Sequence, residues 1–255
     1  QNGKFADATG NLNQDTYVAG VSGAVQEADN ALNLPINTTN GYEFNSINGS
    51  YQHALAGTEL QPLGDVNGDG FDDFAIADRS DFHHSDVGTI PPKTYVVYGS
   101  GSAANINLTA IEAGVGGFVI NGSTAYRGSS WDANTMPSKA GDINGDGLGD
   151  ILIGAVIGGS GNAYRESGET YVIFGRSTAN ATIDLGQIAA GNGGFAILST
   201  TAVEQSGHSV SSAGDINGDG LADIILGAPF SPVDGGASAG RSFVVYGKST
   251  TTNVN

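Results

Sequence analysis

The decapeptide GDVNGDGFDD begins at Gly64, and near copies, GDINGDGLGD and GDINGDGLAD, begin at Gly141 and Gly214. Three copies about 75 residues apart restrict the chain to a repeat architecture, in which each unit buries its apolar faces against its neighbours. The flanks repeat as well. Each loop runs into a short apolar stretch, FDDFAIAD, LGDILIGAV or LADIILGAPF, which has strand length and strand composition. A second run ending in Gly follows each, TYVVYGS at Thr94, TYVIFGR at Thr170 and SFVVYGK at Ser242. After two of these comes a polar linker with one apolar turn (INLTAIEAG, IDLGQIAAG) and a third run, GGFVINGS at Gly116 or GGFAILST at Gly193. MPSKAGD and SVSSAGD lead into the second and third loops. Each unit therefore reads as four short strands, the signature of a propeller blade.

The opening residues fit the same template. TYVAGVSG at Thr16 matches TYVIFGRS, and LNLPINTTNGYEFNSING from Leu32 matches IDLGQIAAGNGGFAILST from Ile183. Residues 1–39 thus read as the C-terminal half of a blade with spare strands, 40–116 as a first full unit, 117–193 as a second, and 194–255 as a third lacking its last strand. The expected fold is all-β, with blades of four antiparallel strands and about three and a half units. Propellers use at least about four blades to close, so the units read as an open arc completed by another subunit, as a piece of a longer propeller, or as a ring that the spare strand closes within one chain. NGYEFNSING, as a spare outer strand, is the expected means of pairing with a neighbour through open strand edges.

Charge narrows the partners. The chain has 26 acidic residues against 9 basic ones, a formal net charge of -17. Nucleic acid and anionic membranes need a basic surface, so neither is expected, and cations are the natural guests. No apolar run approaches the roughly 18 residues of a spanning helix, so membrane insertion is not expected. Cys is absent, which rules out disulfides and thiolate metal sites and leaves a hard cation as the available cross-link. The chain opens on Gln1 rather than Met, which reads as a processed or excised chain.

Counting the first Asp of each loop as position one, oxygen side chains fall at positions one, three, five and nine: Asp65, Asn67, Asp69 and Asp73; Asp142, Asn144, Asp146 and Asp150; Asp215, Asn217, Asp219 and Asp223. Calcium takes six to eight oxygens in a tight loop whose alternate side chains turn inward, whereas magnesium demands stricter octahedral geometry. Three Ca2+ sites are therefore expected. The main-chain carbonyls of Phe71, Leu148 and Leu221 at position seven are expected to join them, with those side chains pointing into the core. Gly70, Gly147 and Gly220 at position six are expected to take a positive φ. An EF-hand or a dockerin is the rival reading, but both place a helix after the ligands, and the EF-hand closes on a Glu at position twelve. Here that position holds Ile76, Ile153 or Leu226, inside a strand-like run.

Together these features resemble the FG-GAP repeat, the unit of the integrin α-subunit propeller. The signature is nearly spelled out in YG, FG and YG at Tyr98, Phe174 and Tyr246, with GAP at Gly227 to Pro229, GAV at Gly154 and IAD at Ile76. The resemblance is strong over residues 40 to 250 and weak before them. The linkers look more like those of bacterial versions in large secreted and surface proteins. The resemblance implies calcium in the loop before the second strand of each blade, a secreted or cell-surface location, and a role in adhesion or surface structure. The open strand edges point to self-association, and a surface protein or glycan ligand is the other partner class expected. A ligand-binding adhesion module and an accessory domain of a secreted hydrolase are the alternatives.

Catalytic arrangements are scarce, and no enzyme activity is expected. GHSVS at Gly207 resembles a nucleophile elbow but lacks its closing Gly and following helix. His83 and His84, between Asp81 and Asp86, read either as a transition-metal site or as a solvated loop. Trp131 and Tyr126, in STAYRGSSWDANTMP, read either as exposed rings that stack on a sugar or anchor a partner or as packing between blades. Sequons start at Asn37, Asn48, Asn107, Asn121 and Asn180 and fit surface loops.

Overall fold

The structure is a computed structural model that describes residues 44–45, 56–78, 93–100, 106–122, 136–156, 167–177, 182–200, 204–232 and 239–255. The chain divides into units Gln1–Asn33 and Leu34–Asn255, and every described residue lies in the second. Its elements in chain order are β1 (Phe44–Asn45), β2 (Ala56–Gly64), β3 (Asp73–Asp78), β4 (Lys93–Val97), β5 (Ile106–Asn107), α1 (Leu108–Glu112) and β6 (Gly117–Asn121). Then follow β7 (Met136–Gly141), β8 (Asp150–Ala155), β9 (Glu169–Ile173), β10 (Thr182–Asp184), α2 (Leu185–Ala189), β11 (Gly194–Leu198), β12 (Ser209–Gly214), β13 (Asp223–Ala228) and β14 (Arg241–Val245).

The protein is nearly all-β, in antiparallel sheets built like propeller blades. The first sheet runs β2-β3-β4-β6, the second β7-β8-β9-β11 and the third β12-β13-β14. Hydrogen bonding groups the strands by sheet rather than by the sequence period. Residues 117–121, which open the second sequence unit, form β6, the outer strand of the first sheet, with Val96 opposite Phe118. Each loop joins the first strand of its sheet to the second, and a register shift precedes it, at Pro62/Gly64, Lys139/Gly141 and Ser212/Gly214.

The polar linkers cross back over the preceding sheet. β10 lies parallel to β6, pairing Ile183 with Ile120, so the link from the third strand of the second sheet clips onto the outer edge of the first. A one-turn helix follows each linker strand. Asn107 caps α1 by accepting from the Thr109 N–H, and Asp184 caps α2 by accepting from the Gly186 N–H, the usual role of these side chains. Leu108 with Ile111, and Leu185 with Ile188, are buried one turn apart, because residues three apart share a helix face. The tail repeats the linker role, with Val254 bridging Ile197 in parallel. At the other end the linker strand β5 pairs in parallel with β1, which takes the place that β6 takes for β10. The described part of NGYEFNSING is therefore hydrogen-bonded to this chain's own linker.

Because side chains alternate across a strand, each sheet has a leading and a trailing apolar face. Ile76, Tyr95 and Val97 on the leading face of the first sheet pack with Leu108 and Ile111 of α1. Its trailing residues Ala75, Val96 and Phe118 meet Ile151, Ile153, Tyr171 and Ile173 of the second sheet. Leu152 and Val172 then meet Ile224 and Leu226 of the third. The inner strands are in register with this stacking, β2 against β7 and β7 against β12. A cation covers the outer-strand Phe at each junction. The Arg176 guanidinium is 5.9 Å from the Phe118 ring centroid, and the Lys248 ammonium 4.1 Å from that of Phe195, a favourable placement over the electron-rich ring face.

Candidate metal centres

The three loops fold alike because their own polar side chains replace a regular ladder. In the first, Asp65 Oδ1 accepts from the N–H groups of Gly68 (2.6 Å) and Asp69 (3.2 Å), and Oδ2 accepts from Gly70 (2.8 Å). Asn67 Oδ1 accepts from Asp69 N–H at 2.8 Å and its amide donates to Asp69 Oδ2 at 2.9 Å, while Asp69 Oδ1 accepts from Phe71 N–H. Asp142, Asn144 and Asp146, and Asp215, Asn217 and Asp219, repeat the pattern. The expected positive φ at position six is present, at 89°, 88° and 90° for Gly70, Gly147 and Gly220. A Cβ there would meet nothing within 4 Å, so the backbone conformation alone demands glycine.

Position nine plays a different part. Asp73, Asp150 and Asp223 are 1%, 0% and 0% exposed, and each clasps two main-chain N–H groups distant in sequence. Asp73 accepts from Val66 (2.8 Å) and Gly99 (2.7 Å), Asp150 from Ile143 and Gly175 (both 2.8 Å), and Asp223 from Ile216 and Gly247 (both 2.8 Å). The second partner is the glycine of the YG, FG and YG pairs. Sequence reasoning saw these glycines only as a signature, yet they tie the third strand to the loop. Their shape matters too: a Cβ on Gly175 would lie 2.6 Å from the Gly149 carbonyl oxygen and 2.9 Å from that of Val66 in the preceding loop.

The side chains at position seven do not enter a sheet core as expected. Leu148 and Leu221 lie on the preceding loop, where their Cδ2 atoms stand 2.9 Å from the Cβ that Gly68 or Gly145 would carry. Phe71 is 46% exposed. The correction has a simple cause: a residue at a loop tip faces the neighbouring loop, not the strand interior. Main-chain bonds link the loops in series, from Gly149 N–H to the Asp65 carbonyl (2.7 Å), Arg176 N–H to that of Val66 (2.8 Å) and Ala222 N–H to that of Asp142 (2.8 Å).

As placed, the carboxylates of one loop do not meet at a common point. Among the described residues, no three His, Cys, Asp or Glu side chains are arranged to hold a metal ion. The donor chemistry is nevertheless that of a hard cation, since every side chain offered is an oxygen ligand. The buried acid supplies a further observation. Burial pushes Asp150 up to about 7 and Asp73 up to about 6, with the neighbouring Asp146 and Asp142, or Asp69 and Asp65, raising them further against their main-chain hydrogen bonds. Burial also lifts Asp65, but the N–H groups around it outweigh that and hold it below its ordinary value. Each loop therefore gathers negative charge around a buried carboxyl whose two bonds come from main-chain groups, not from a cationic side chain.

A pH prediction follows. An acid whose folded pKa is raised contributes stability below its unfolded pKa and loses it as pH rises through the folded value. For Asp73 and Asp150 that window runs from about pH 4 to about 7. In chelator, the melting temperature should fall between pH 5.5 and 7.5, and Asp150→Asn should flatten the fall. In saturating calcium the dependence should reverse, because cation binding requires deprotonated ligands. Melts at the two pH values with and without calcium check both signs.

Other sequence candidates separate here. His208 is exposed and sits in a turn just before β12, and no helix follows Ser209, so the elbow resemblance in GHSVS has no structural counterpart. Asn107 is used as a helix cap, and Asn121 lies in β6. His83, His84, Tyr126 and Trp131 lie outside the described residues, as do residues 1–39. No described helix is long and apolar enough to cross a membrane.

Against known families, residues 206–245 match the model of the FG-GAP repeat. The chain is 27% identical over 201 residues to integrin alpha pat-2 of Caenorhabditis elegans, across 77% of this chain and 14% of that protein. It is 32% identical over 106 residues to integrin alpha-PS5 of Drosophila melanogaster, across 42% of this chain and 9% of that protein. The chain is thus similar to integrin alpha proteins and carries one stretch that matches the FG-GAP repeat. The FG-GAP match begins just before β12 and ends with β14, so one repeat here is one hydrogen-bonded sheet with its loop. The chain spans only a small part of both relatives, 14% and 9% of their lengths.

Proposed function

We propose that this chain is an extracellular adhesion or structural module, without enzyme activity, whose blades are stapled by three Ca2+ ions. The buried carboxyl at position nine is the observation that carries the reading. It joins a loop rich in oxygen donors to the third strand of the same sheet, and each loop is bonded to the next. The ligands would be Asp65, Asn67, Asp69, Phe71 through its carbonyl, and Asp73, with Asp142, Asn144, Asp146, Leu148 and Asp150, and Asp215, Asn217, Asp219, Leu221 and Asp223, in the other two sites. Bound calcium would supply the positive charge that lets the carboxylates of a loop stay ionised side by side. Calorimetric titration should find three ions per chain, and Asp146→Ala should reduce that to two. A wild-type chain that takes up no calcium at neutral pH would sink the reading.

Self-association through open strand edges belongs to the same proposal. β14 ends the third sheet among the described residues, and such an edge is a template for a further strand. The integrin alpha likeness supports a surface protein or glycan ligand as the other partner class.

A further inference from the structure

We propose that the Asn–Gly peptide at positions three and four of each loop is a spontaneous deamidation site, locked while the loop is closed and released when it opens. The residues are Asn67–Gly68, Asn144–Gly145 and Asn217–Gly218. The lock is the hydrogen bonding of the loop itself; its dependence on calcium rests on the proposed metal sites. Asparagine is thermally labile, above all before glycine, whose main-chain nitrogen has no neighbouring Cβ to shield its attack on the Asn Cγ. The N–Cγ bond forms, the Cγ–Nδ2 bond breaks, and the proton of the glycine N–H leaves with Nδ2 as ammonia. Water then opens the cyclic imide. Cleavage at Cγ leaves Asp, and cleavage at the main-chain carbonyl leaves an isoaspartyl link that lengthens the backbone by a carbon.

The closed loop restrains both reactants. The N–H groups of Gly68, Gly145 and Gly218 donate to Oδ1 of Asp65, Asp142 and Asp215 at 2.6, 2.7 and 2.6 Å, so the attacking nitrogen is held in a charge-assisted bond. The carboxamide is held at both ends. Asn67 Oδ1 accepts from the Asp69 N–H while its amide donates to Asp69 Oδ2, and Asp146 and Asp219 clamp Asn144 and Asn217 in the same way. Attack requires these bonds to break, so its rate follows how often the loop opens. The carboxylates that form the lock are also the proposed cation ligands, and without a cation their mutual repulsion favours opening. The isoaspartyl product does not fit. Leu148 and Leu221 Cδ2 stand 2.9 Å from the Cβ that Gly68 and Gly145 would carry, so an added main-chain carbon displaces the next loop. Each loop thus keeps an irreversible record of the time it has spent open.

Peptide mapping by mass spectrometry of the whole chain, aged at neutral pH in calcium or in chelator, counts amide-to-acid conversion at each site. Asn192–Gly193, between α2 and β11 and outside the loops, is the internal reference. In calcium the loop asparagines should convert far more slowly than Asn144 in the free decapeptide GDINGDGLGD. In chelator they should convert roughly tenfold faster or more, while Asn192 changes less. Asp146→Ala, which removes one arm of the Asn144 clamp, should release Asn144 alone with calcium still present. Loop asparagines that convert in calcium as fast as the free peptide overturn the proposal, and so do ones that stay intact both in chelator and in Asp146→Ala. Equal acceleration of Asn192 in chelator also overturns it, because global unfolding would then control the reaction. Release by Asp146→Ala with no effect of chelator upholds the lock and removes the calcium staple.

Discussion

Gly175→Ala should destabilise the protein by roughly 3 kcal/mol or more, as expected when backbone must move to admit a methyl group. The new Cβ would stand 2.6 Å from the Gly149 carbonyl oxygen, 2.7 Å from Leu148 Cβ and 2.9 Å from the Val66 carbonyl oxygen. None of these is the free end of a flexible side chain. The same substitution at Gly147, where only a φ of 88° opposes it, should cost about 1–2 kcal/mol. Denaturant unfolding of both variants in calcium measures the difference. Equal losses would mean that the second sheet does not approach the first loop as closely as described.

Asp150→Ala should cost roughly 2–4 kcal/mol in calcium. It strands the N–H groups of Ile143 and Gly175, at about 1–3 kcal/mol each, while removing a buried carboxyl whose desolvation offsets part of that loss. Asp223→Ala removes the equivalent pair but should cost less. Ile216, whose N–H it receives, is 55% exposed where Ile143 is 0% exposed, so water can replace the lost acceptor. In chelator both losses should shrink, because the buried acid then has no cation to stay ionised for. The ordering is the test: a third-sheet variant as costly as the second-sheet one would contradict the openness of that face.

Much of the candidate site is legible in the chain because it is local. Asp65 and its loop partners lie within nine residues, and an oxygen at every second position with glycine at the sharp turn is a pattern that neighbouring residues create by themselves. Strand identity was readable for the same reason. The run from Asp150 to Ala155 alternates across a sheet, and its near-continuous apolar character reflects burial on both faces, as its structure bears out.

Position seven was misread because a local pattern cannot say which neighbour a loop tip faces. The partners of Asp150 were missed for a related reason, since Gly175 lies 25 residues away and pairing at that range leaves no local period. The contrast between the second and third sheets is sharper still. DILIGA and DIILGA are nearly the same sequence, yet Leu152 is fully buried and Ile225 is 41% exposed. Sequence alone therefore settled the repeat, the strand pattern and the oxygen donors, which arise from residues close along the chain. Tertiary structure alone decided which apolar faces are covered and which glycines hold the buried acids, because both depend on a neighbouring sheet or a distant strand that local order does not encode.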